Sequence, residues 1–198
     1  SFEDWDSIIR IDLDGAFYCC KAVLPTMKEQ GDGLIINISS WAGKHVSVVT
    51  GPAYTAAKHA MNAMNESINM EAGINGVRAC ALCPGEVATP ILDNRPIPVS
   101  SEDRAKMVQA EDCGELIKFL AQMPAHVCIN DVTISPTWNR GYVPAAKALQ
   151  PKPENRRPIL HQNVICKEQF HESNFATHHN FIHIGCTGRP KRNPLRVV

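Results

Sequence analysis

Apolar residues recur at helical spacing over the first 28 residues of the chain. They lie mostly three or four positions apart, which is the period of a helix that buries one face. The recurring positions are Trp5, Ile8, Ile9, Leu13, Ala16, Phe17, Cys20 and Leu24. Ser1 followed by Asp4 is typical of a helix N-terminal cap. The pattern therefore predicts one long amphipathic helix over about residues 1–28.

Short apolar runs alternate with further helical patterns in the following part of the chain. Buried strands are predicted at residues 34–39, 77–83 and 127–134, and helices at residues 53–70 and 111–123. The stretch 86–110 contains three prolines and is predicted to be irregular. Helices that alternate with apolar strands are typical of a parallel α/β sheet.

The charge of the chain changes sign along its length. Residues 1–140 carry 11 basic and 17 acidic side chains, a net charge of −6, whereas residues 141–198 carry 9 and 3, a net charge of +6. Prolines continue through this second part, and no amphipathic period is found there. Such an asymmetry indicates two segments of different role. We expect a partial α/β domain over residues 1–143 and a basic tail over residues 144–198 that is disordered or non-native.

Cysteine and histidine spacing provides little support for a metal site. The tail set consists of Cys166, His171, His178, His179, His183 and Cys186, and its spacing fits none of the usual zinc patterns. Metal binding and a basic interaction tail remain the alternatives to disorder for this segment. Cys80 and Cys83 match a metal or redox spacing, but their apolar surroundings favour buried strand residues over a functional pair. We therefore predict no metal site.

The start of the chain favours a cytoplasmic protein. Residues 1–6 are acidic, where a secretory signal needs a basic start. No apolar run approaches the roughly 18 residues of a membrane span. We therefore expect reduced cysteines, and we expect neither a membrane nor a nucleic acid as a partner.

Tyr54 and Lys58 are separated by four positions on the second predicted helix, and Ser40 precedes the tyrosine by fourteen. Residues i and i+4 share one face of a helix, so the Lys58 ammonium is expected close to the Tyr54 phenol. A nearby positive charge favours the phenolate form, and a phenol in that balance can exchange a proton with a substrate oxygen. The trio predicts an enzyme that reduces carbonyls or oxidises alcohols.

Three segments in this order resemble the short-chain dehydrogenase/reductase family, in its classical-length branch. They are GLIINISS at residues 33–40, YTAAK at residues 54–58 and CPGEVATP at residues 83–90. Each segment lies in the strand or helix context that the family has, and the resemblance extends over about residues 5–142. It implies an NAD(P)-dependent oxidoreductase that transfers hydride between a nicotinamide and a carbonyl or alcohol substrate.

The resemblance also implies catalytic roles for the matching residues. Tyr54 would be the general acid/base, and Lys58 would favour its phenolate form and bind the nicotinamide ribose hydroxyls. Ser40 would hydrogen-bond the substrate oxygen, with Ser39 as the alternative. The family usually has an asparagine 28 residues before the serine, where this chain has Asp12. Asp12 could pair with Lys58 and weaken its effect on the phenol, or it could simply belong to a helix face.

Cofactor contacts are implied at the third segment and at the helix. Pro84, Gly85, Val87 and Thr89 would line the nicotinamide side of the pocket, to which Tyr54 and Lys58 also contribute. Thr89 could hydrogen-bond the carboxamide or a phosphate, or it could be a cap or turn residue. The substrate pocket would be lined by residues 86–110, Trp41 and the loop from Val46 to Val49.

The glycine-rich loop that binds the pyrophosphate in such folds has no counterpart in this sequence. The fold expected is the carboxy-terminal half of a doubly wound Rossmann-type parallel sheet, with the amino-terminal cofactor half missing. The cofactor is expected to be NAD or NADP. The sequence does not select between them, because the residue that does so lies in that half.

We expect the full-length protein to form homo-oligomers through its two long helices. The alternatives to an active oxidoreductase are a truncated, catalytically inactive fragment and a non-catalytic interaction module whose basic tail binds anionic partners.

Overall fold

A nearly unbroken helical run begins the chain in the computed structural model, which describes residues 1–95 and 97–150. It comprises helix α1 (Phe2–Ile9), one π-helical turn (Arg10–Asp14) and helix α2 (Gly15–Gln30). The predicted cap is confirmed: Ser1 Oγ accepts a hydrogen bond from the Asp4 amide, and the Asp4 carboxylate accepts one from the amino terminus, each at 3.2 Å. Gly31, with φ of 68°, ends α2 in the left-handed conformation that glycine adopts readily.

Three parallel strands form the sheet, in the order β1-β2-β3. They are β1 (Gly33–Ile38), β2 (Val77–Pro84) and β3 (Asp131–Ile134). Ile35 of β1 pairs with Ala79 of β2. The predicted parallel α/β sheet is confirmed.

The other helices follow the predicted order, with two additions. The long helix α3 (Gly51–Ala72) precedes β2, and helix α5 (Ala110–Ala121) precedes β3. The additions are the five-residue helix α4 (Ser101–Ala105) and helix α6 (Val143–Leu149). The stretch 86–110 is therefore not wholly irregular. A single helical turn is too short to produce a readable hydrophobic period, although the Ser100 hydroxyl caps α4 by accepting from the Asp103 amide.

Helix α6 begins where we expected regular structure to stop. Three of its seven residues are alanine, the residue with the highest helix propensity, and this offsets the lack of an apolar period. Residues Ser1–Leu149 form one compact unit. The predictions made for residues 151–198, including the cysteine and histidine set, lie outside the described residues.

Strand β3 begins at Asp131, later than the predicted Val127, because side chains of α3 occupy the neighbouring backbone groups. The Asn69 amide group accepts from the Ala79 N–H at 2.6 Å and donates to the Ala79 carbonyl at 2.7 Å. Asn65 donates to the carbonyls of Ala79 and Asn130, each at 3.1 Å. Buried backbone groups need partners, and here helix side chains supply them instead of a longer strand.

Helices α2 and α3 cover one face of the sheet. Their shared core with the strands consists of Cys20, Ile68, Ala72, Val77 and Ala79. Strand β2 is almost wholly buried, and its Cys80 and Cys83 are core residues, as the sequence predicted. Burial raises the pKa of the Cys80 thiol to about 11. Among the helices that the structure describes, none combines the length and apolarity needed to cross a bilayer.

Strand β1 is less protected than β2. Four of its six residues are only half-buried, and Ile38 is 48% exposed. Within the described residues, β2 is the only strand that pairs with β1. An apolar strand with an unpaired edge is a template for association with other chains.

We expect the isolated chain to self-associate through this edge. Ile38→Lys should reduce the self-association, because a charge on an edge strand opposes edge-to-edge pairing. Light scattering against protein concentration would measure it. Ile74→Lys is the matched control, since Ile74 is exposed but lies outside the sheet. Equal effects of the two substitutions would contradict a role for β1.

Candidate active site

Lys58 of helix α3 is the centre of the candidate site. Its side chain is almost completely buried, with 6% of the residue exposed. The ammonium donates to the Ile38 carbonyl at the end of β1 at 3.1 Å and lies 3.0 Å from Asp12 Oδ1. It also lies 5.4 Å from the centre of the Tyr54 ring, one helical turn earlier. One buried charge therefore connects the first strand, the first helical run and α3.

Asp12 reaches Lys58 from the π-helical turn between α1 and α2. A π-helical turn contains more residues than an α-helical turn, and such turns are frequent at functional sites. The Asp12 side chain is 25% exposed. The pairing that the sequence left open is present, so Asp12 is more than a decoration of the helix face.

Ser40 lies just beyond the end of β1, where it begins a short 3₁₀ turn (Trp41–Gly43). Its hydroxyl oxygen accepts from the Ala42 amide at 3.1 Å, and the hydroxyl proton can still be donated to a ligand. Ser39, in contrast, is buried and donates to the Lys58 carbonyl at 3.3 Å. This geometry favours Ser40 over Ser39 as the serine that could meet a substrate.

Gly43 allows this serine loop to pack closely on α3. A Cβ atom at Gly43 would lie 2.7 Å from Ser39 Oγ and 2.8 Å from the Lys58 carbonyl oxygen. Contacts this short do not occur, so the approach requires glycine. The Asn62 side chain of α3 completes the contact by donating to the Gly43 carbonyl at 2.9 Å.

Of the other expected cofactor residues, Pro84 ends β2, and Gly85, Val87 and Thr89 lie in the loop that follows it. The Gly85 amide donates to the Ile134 carbonyl at 2.7 Å, and Val87 forms a parallel bridge with Val108. Thr89 precedes a 3₁₀ turn (Pro90–Asn94), but its side chain does not cap that turn. The alternative role of Thr89 as a helix cap is therefore not observed.

The two loops leave the carboxyl ends of neighbouring parallel strands, β1 and β2. In open α/β sheets, ligands bind at this edge. The structure thus brings Asp12, Tyr54 and Lys58 into one cluster, with Ser40 shortly after the carbonyl that holds Lys58. The residues from Gly85 to Thr89 belong to the adjoining loop, directly after Pro84 at the end of β2.

An ion-pair network at Glu86 was missed by the sequence reasoning. Arg140 donates to both oxygens of the Glu86 carboxylate, and Arg95 Nη1 donates to its Oε1 at 3.1 Å. The Arg140 hydrogen bonds are the main reason that the pKa of Glu86 is held below its usual 4.5, although burial opposes the shift. The acid within the Pro-Gly-Glu-Val segment was a visible signal, but nothing in the sequence indicates a partner 54 residues away.

An aromatic cluster lies next to the serine. Trp41 stacks on His45 with ring centres 4.3 Å apart, and it meets Tyr142 edge-on at 6.0 Å. Trp41 was expected beside the substrate, but Tyr142 was not. Tyr142 reaches Trp41 only because the segment after β3 returns to the loop after β1.

The chain is similar in sequence to known oxidoreductases. The family described as short chain dehydrogenase matches residues 1–97. An uncharacterised oxidoreductase of Staphylococcus aureus (strain MRSA252) is 33% identical over 134 residues, which cover 68% of this chain and 55% of the relative. The chain thus spans about half the length of the curated relatives it matches.

Solved structures show the same fold. The serine dehydrogenase of Escherichia coli is 28% identical, with a TM-score of 0.59 over 70% of this chain and 56% of that one. A closed form of serine dehydrogenase complexed with NADP⁺ is also 28% identical, with a TM-score of 0.62 over 70% and 58% of the two chains. The fold is therefore the carboxy-terminal half of a doubly wound Rossmann-type sheet, as predicted.

The Glu86 network should make stability depend on pH. A carboxyl group whose pKa is lowered by folding stabilises the fold above its unfolded pKa, here 4.5, and loses that contribution as the pH falls through its folded value. Glu86→Gln should therefore reduce the free energy of unfolding at pH 7. The difference from the unmodified chain should shrink below about pH 4.5.

Urea denaturation of both proteins between pH 3 and pH 7, chosen as roughly the range in which carboxyl groups titrate, would measure this difference. Glu115→Gln is the control, because its pair with Lys118 is well exposed and such pairs contribute little. A difference that stays constant over this pH range would contradict the assignment.

Proposed function

Because this chain belongs to the short-chain dehydrogenase/reductase family, we propose that it forms the catalytic part of an NAD(P)-dependent oxidoreductase. The proposed substrate is a small carbonyl compound or the corresponding alcohol. The observation that carries the proposal is the buried Lys58 ammonium beside the Tyr54 ring. A positive charge held at that place can stabilise the negative charge that develops on the phenol oxygen when its proton is transferred.

Each residue of the cluster then has a role in moving one proton. Tyr54 gives its phenolic proton to the carbonyl oxygen during reduction and takes it back during oxidation. Ser40 donates a hydrogen bond to the same oxygen and fixes its position. Lys58 stabilises the phenolate that remains after the transfer. When bound, NAD(P) supplies or accepts the hydride.

The residues present fit the nicotinamide end of that cofactor. An ammonium group has three donors; Lys58 uses one of them on the Ile38 carbonyl and forms an ion pair with Asp12. A remaining donor can bind ribose hydroxyls. Thr89 lies in the adjoining loop, and its hydroxyl does not cap the 3₁₀ turn. This hydroxyl can hydrogen-bond the carboxamide or a phosphate. The pyrophosphate would require the glycine-rich loop, which this sequence does not contain.

The two long helices also offer a surface for assembly. Phe17 and Met70 are exposed on them, and a groove of about 470 Å³ is lined by residues of α2 and α3. We propose that the longer protein forms homo-oligomers through these helices. Sedimentation as a pure monomer at micromolar concentration would contradict this. A cytoplasmic location remains a prediction from the sequence.

One experiment tests the chemistry and separates it from the inactive-fragment alternative. NADH and NADPH oxidation is measured with a panel of ketones and aldehydes. The measurement uses the 198-residue chain and a form extended at its amino end to the length of the relatives. We expect activity in the extended form alone, because the unpaired edge of β1 leaves the sheet incomplete. Tyr54→Phe should then lower kcat by about 10²–10⁴-fold, because general acid/base catalysis is lost.

Tyr18→Phe is the matched control, since Tyr18 lies on α2 and is exposed. It should retain the activity of the unmodified protein. Full activity in Tyr54→Phe would exclude the proposed mechanism.

Asp12 should lower the rate of the reaction through its ion pair with Lys58. Asp12→Asn removes the negative charge 3.0 Å from the ammonium, so more of the Lys58 charge acts on the phenol. We expect kcat to rise, because more of the ammonium charge can stabilise the negative charge that develops on the phenol oxygen during proton transfer. Lys58→Met should lower kcat.

Asp14→Asn is the control for Asp12, because Asp14 lies in the same π-helical turn. It should leave kcat unchanged. An unchanged kcat in Asp12→Asn would show that the acid does not affect the proton transfer.

A further inference from the structure

Glu86 is the one acidic residue of the loop that follows β2. It stands between Gly85 and Val87, two of the residues expected at the nicotinamide. Its side chain is 26% exposed, so part of the carboxylate is removed from water. A partly buried carboxylate is costly unless it is paired and hydrogen-bonded.

The Glu86 carboxylate is fully engaged by two arginines. Arg140 Nε donates to Oε2 at 2.8 Å and Arg140 Nη2 donates to Oε1 at 2.5 Å, so the guanidinium binds both oxygens. Arg95 adds a hydrogen bond to Oε1 at 3.1 Å. A two-pronged arginine–carboxylate pair has a defined geometry and is stronger than a single contact.

Backbone contacts hold the loop on both sides of Glu86. The Gly85 amide bonds to the end of β3, and a Cβ at Gly85 would lie 3.2 Å from the Ser135 Cβ. The Ala88 amide donates to the Val108 carbonyl at 2.8 Å, and the Val108 amide donates to the Glu86 carbonyl at 3.1 Å. The Glu86 side chain adds a contact to the segment after β3, which the backbone bonds of residues 87–88 do not reach.

The segment after β3 also contacts the loop that follows β1. Tyr142 follows Arg140 closely and packs against Trp41, which directly follows Ser40. The Glu86–Arg140 pair therefore connects the loop after β2 with a segment that also contacts the loop after β1. A shift of the Glu86 loop would be resisted at both contacts.

We propose that Glu86 is a positioning residue that holds the 84–89 loop against the segment after β3 through its pair with Arg140 and Arg95. The consequence for binding rests on the proposed function: the loop would present Pro84, Gly85, Val87 and Thr89 to the nicotinamide in a fixed conformation. Glu86 itself does not take part in the proton transfer. It acts on cofactor affinity through the loop.

Hydrogen–deuterium exchange of the 198-residue chain tests the anchoring without any need for activity. Glu86→Gln and Arg140→Met should each increase exchange about tenfold in peptides that cover residues 84–89. The double variant should exchange no faster than either single variant, because both remove the same contact. Arg140→Lys keeps the positive charge but cannot bind both carboxylate oxygens as the guanidinium does. Its exchange rate should lie between those of the unmodified chain and Arg140→Met.

Lys118→Met is the control, since it removes a charge from an exposed pair on α5. Its exchange in the same peptides should match that of the unmodified chain. Unchanged exchange in the Glu86 and Arg140 variants would overturn the proposal, and so would additive effects in the double variant. Circular dichroism and melting temperature identify a variant that has lost its fold, and Arg140→Lys then decides the question.

Kinetics of the extended form test the consequence for the cofactor. Glu86→Gln should raise the cofactor KM about tenfold and change kcat less than about twofold, because a loosened loop weakens binding without touching the reacting atoms. A fall in kcat at unchanged KM would overturn the positioning role. If the unmodified extended form shows no oxidoreductase activity, the proposed function fails, and the exchange experiment alone still decides whether Glu86 anchors the loop.

Discussion

The buried ammonium of Lys58 is the constraint on which the rest of the candidate site depends. A charge removed from water must find acceptors, or the fold loses several kcal/mol. Here the acceptors are the Ile38 carbonyl and the Asp12 carboxylate. Each belongs to a different element, so satisfying one charge determines how β1, the π-helical turn and α3 meet. The Tyr54 ring is then held beside the charge by the helix that carries both residues.

The choice of aspartate at position 12 has a cost and a function. A carboxylate compensates the buried ammonium better than a neutral side chain, which stabilises the packing of the first helical run on α3. The same carboxylate reduces the field that the ammonium exerts on the phenol. Stability of the cluster and the proposed activation of Tyr54 therefore oppose each other at this residue.

The sheet is completed on one side and open on the other. Helix α3 supplies Asn65 and Asn69 to backbone groups beside β2, so that side of the sheet is closed by side-chain amides as well as by β3. On the far side, β1 has an unpaired edge within the described residues and a partly exposed apolar face. The candidate cluster lies at the end of this less protected strand, where the Ile38 carbonyl accepts from Lys58. Its rigidity therefore depends on how firmly β1 is held by its pairing with β2.

The sequence by itself determined the order of helices and strands, the parallel sheet and the face shared by Tyr54 and Lys58. These features follow from local periodicity, which a single segment carries. It could not place Glu86 with Arg140, Asn69 with Ala79 or Trp41 with Tyr142, because those partners lie 54, 10 and about 100 residues apart. Only the tertiary structure brings such groups together. The pairing of Asp12 with Lys58 lay between these cases: the residue was recognised as unusual, but a helix has several faces, and the packing of the π-helical turn on α3 decided which one Asp12 meets.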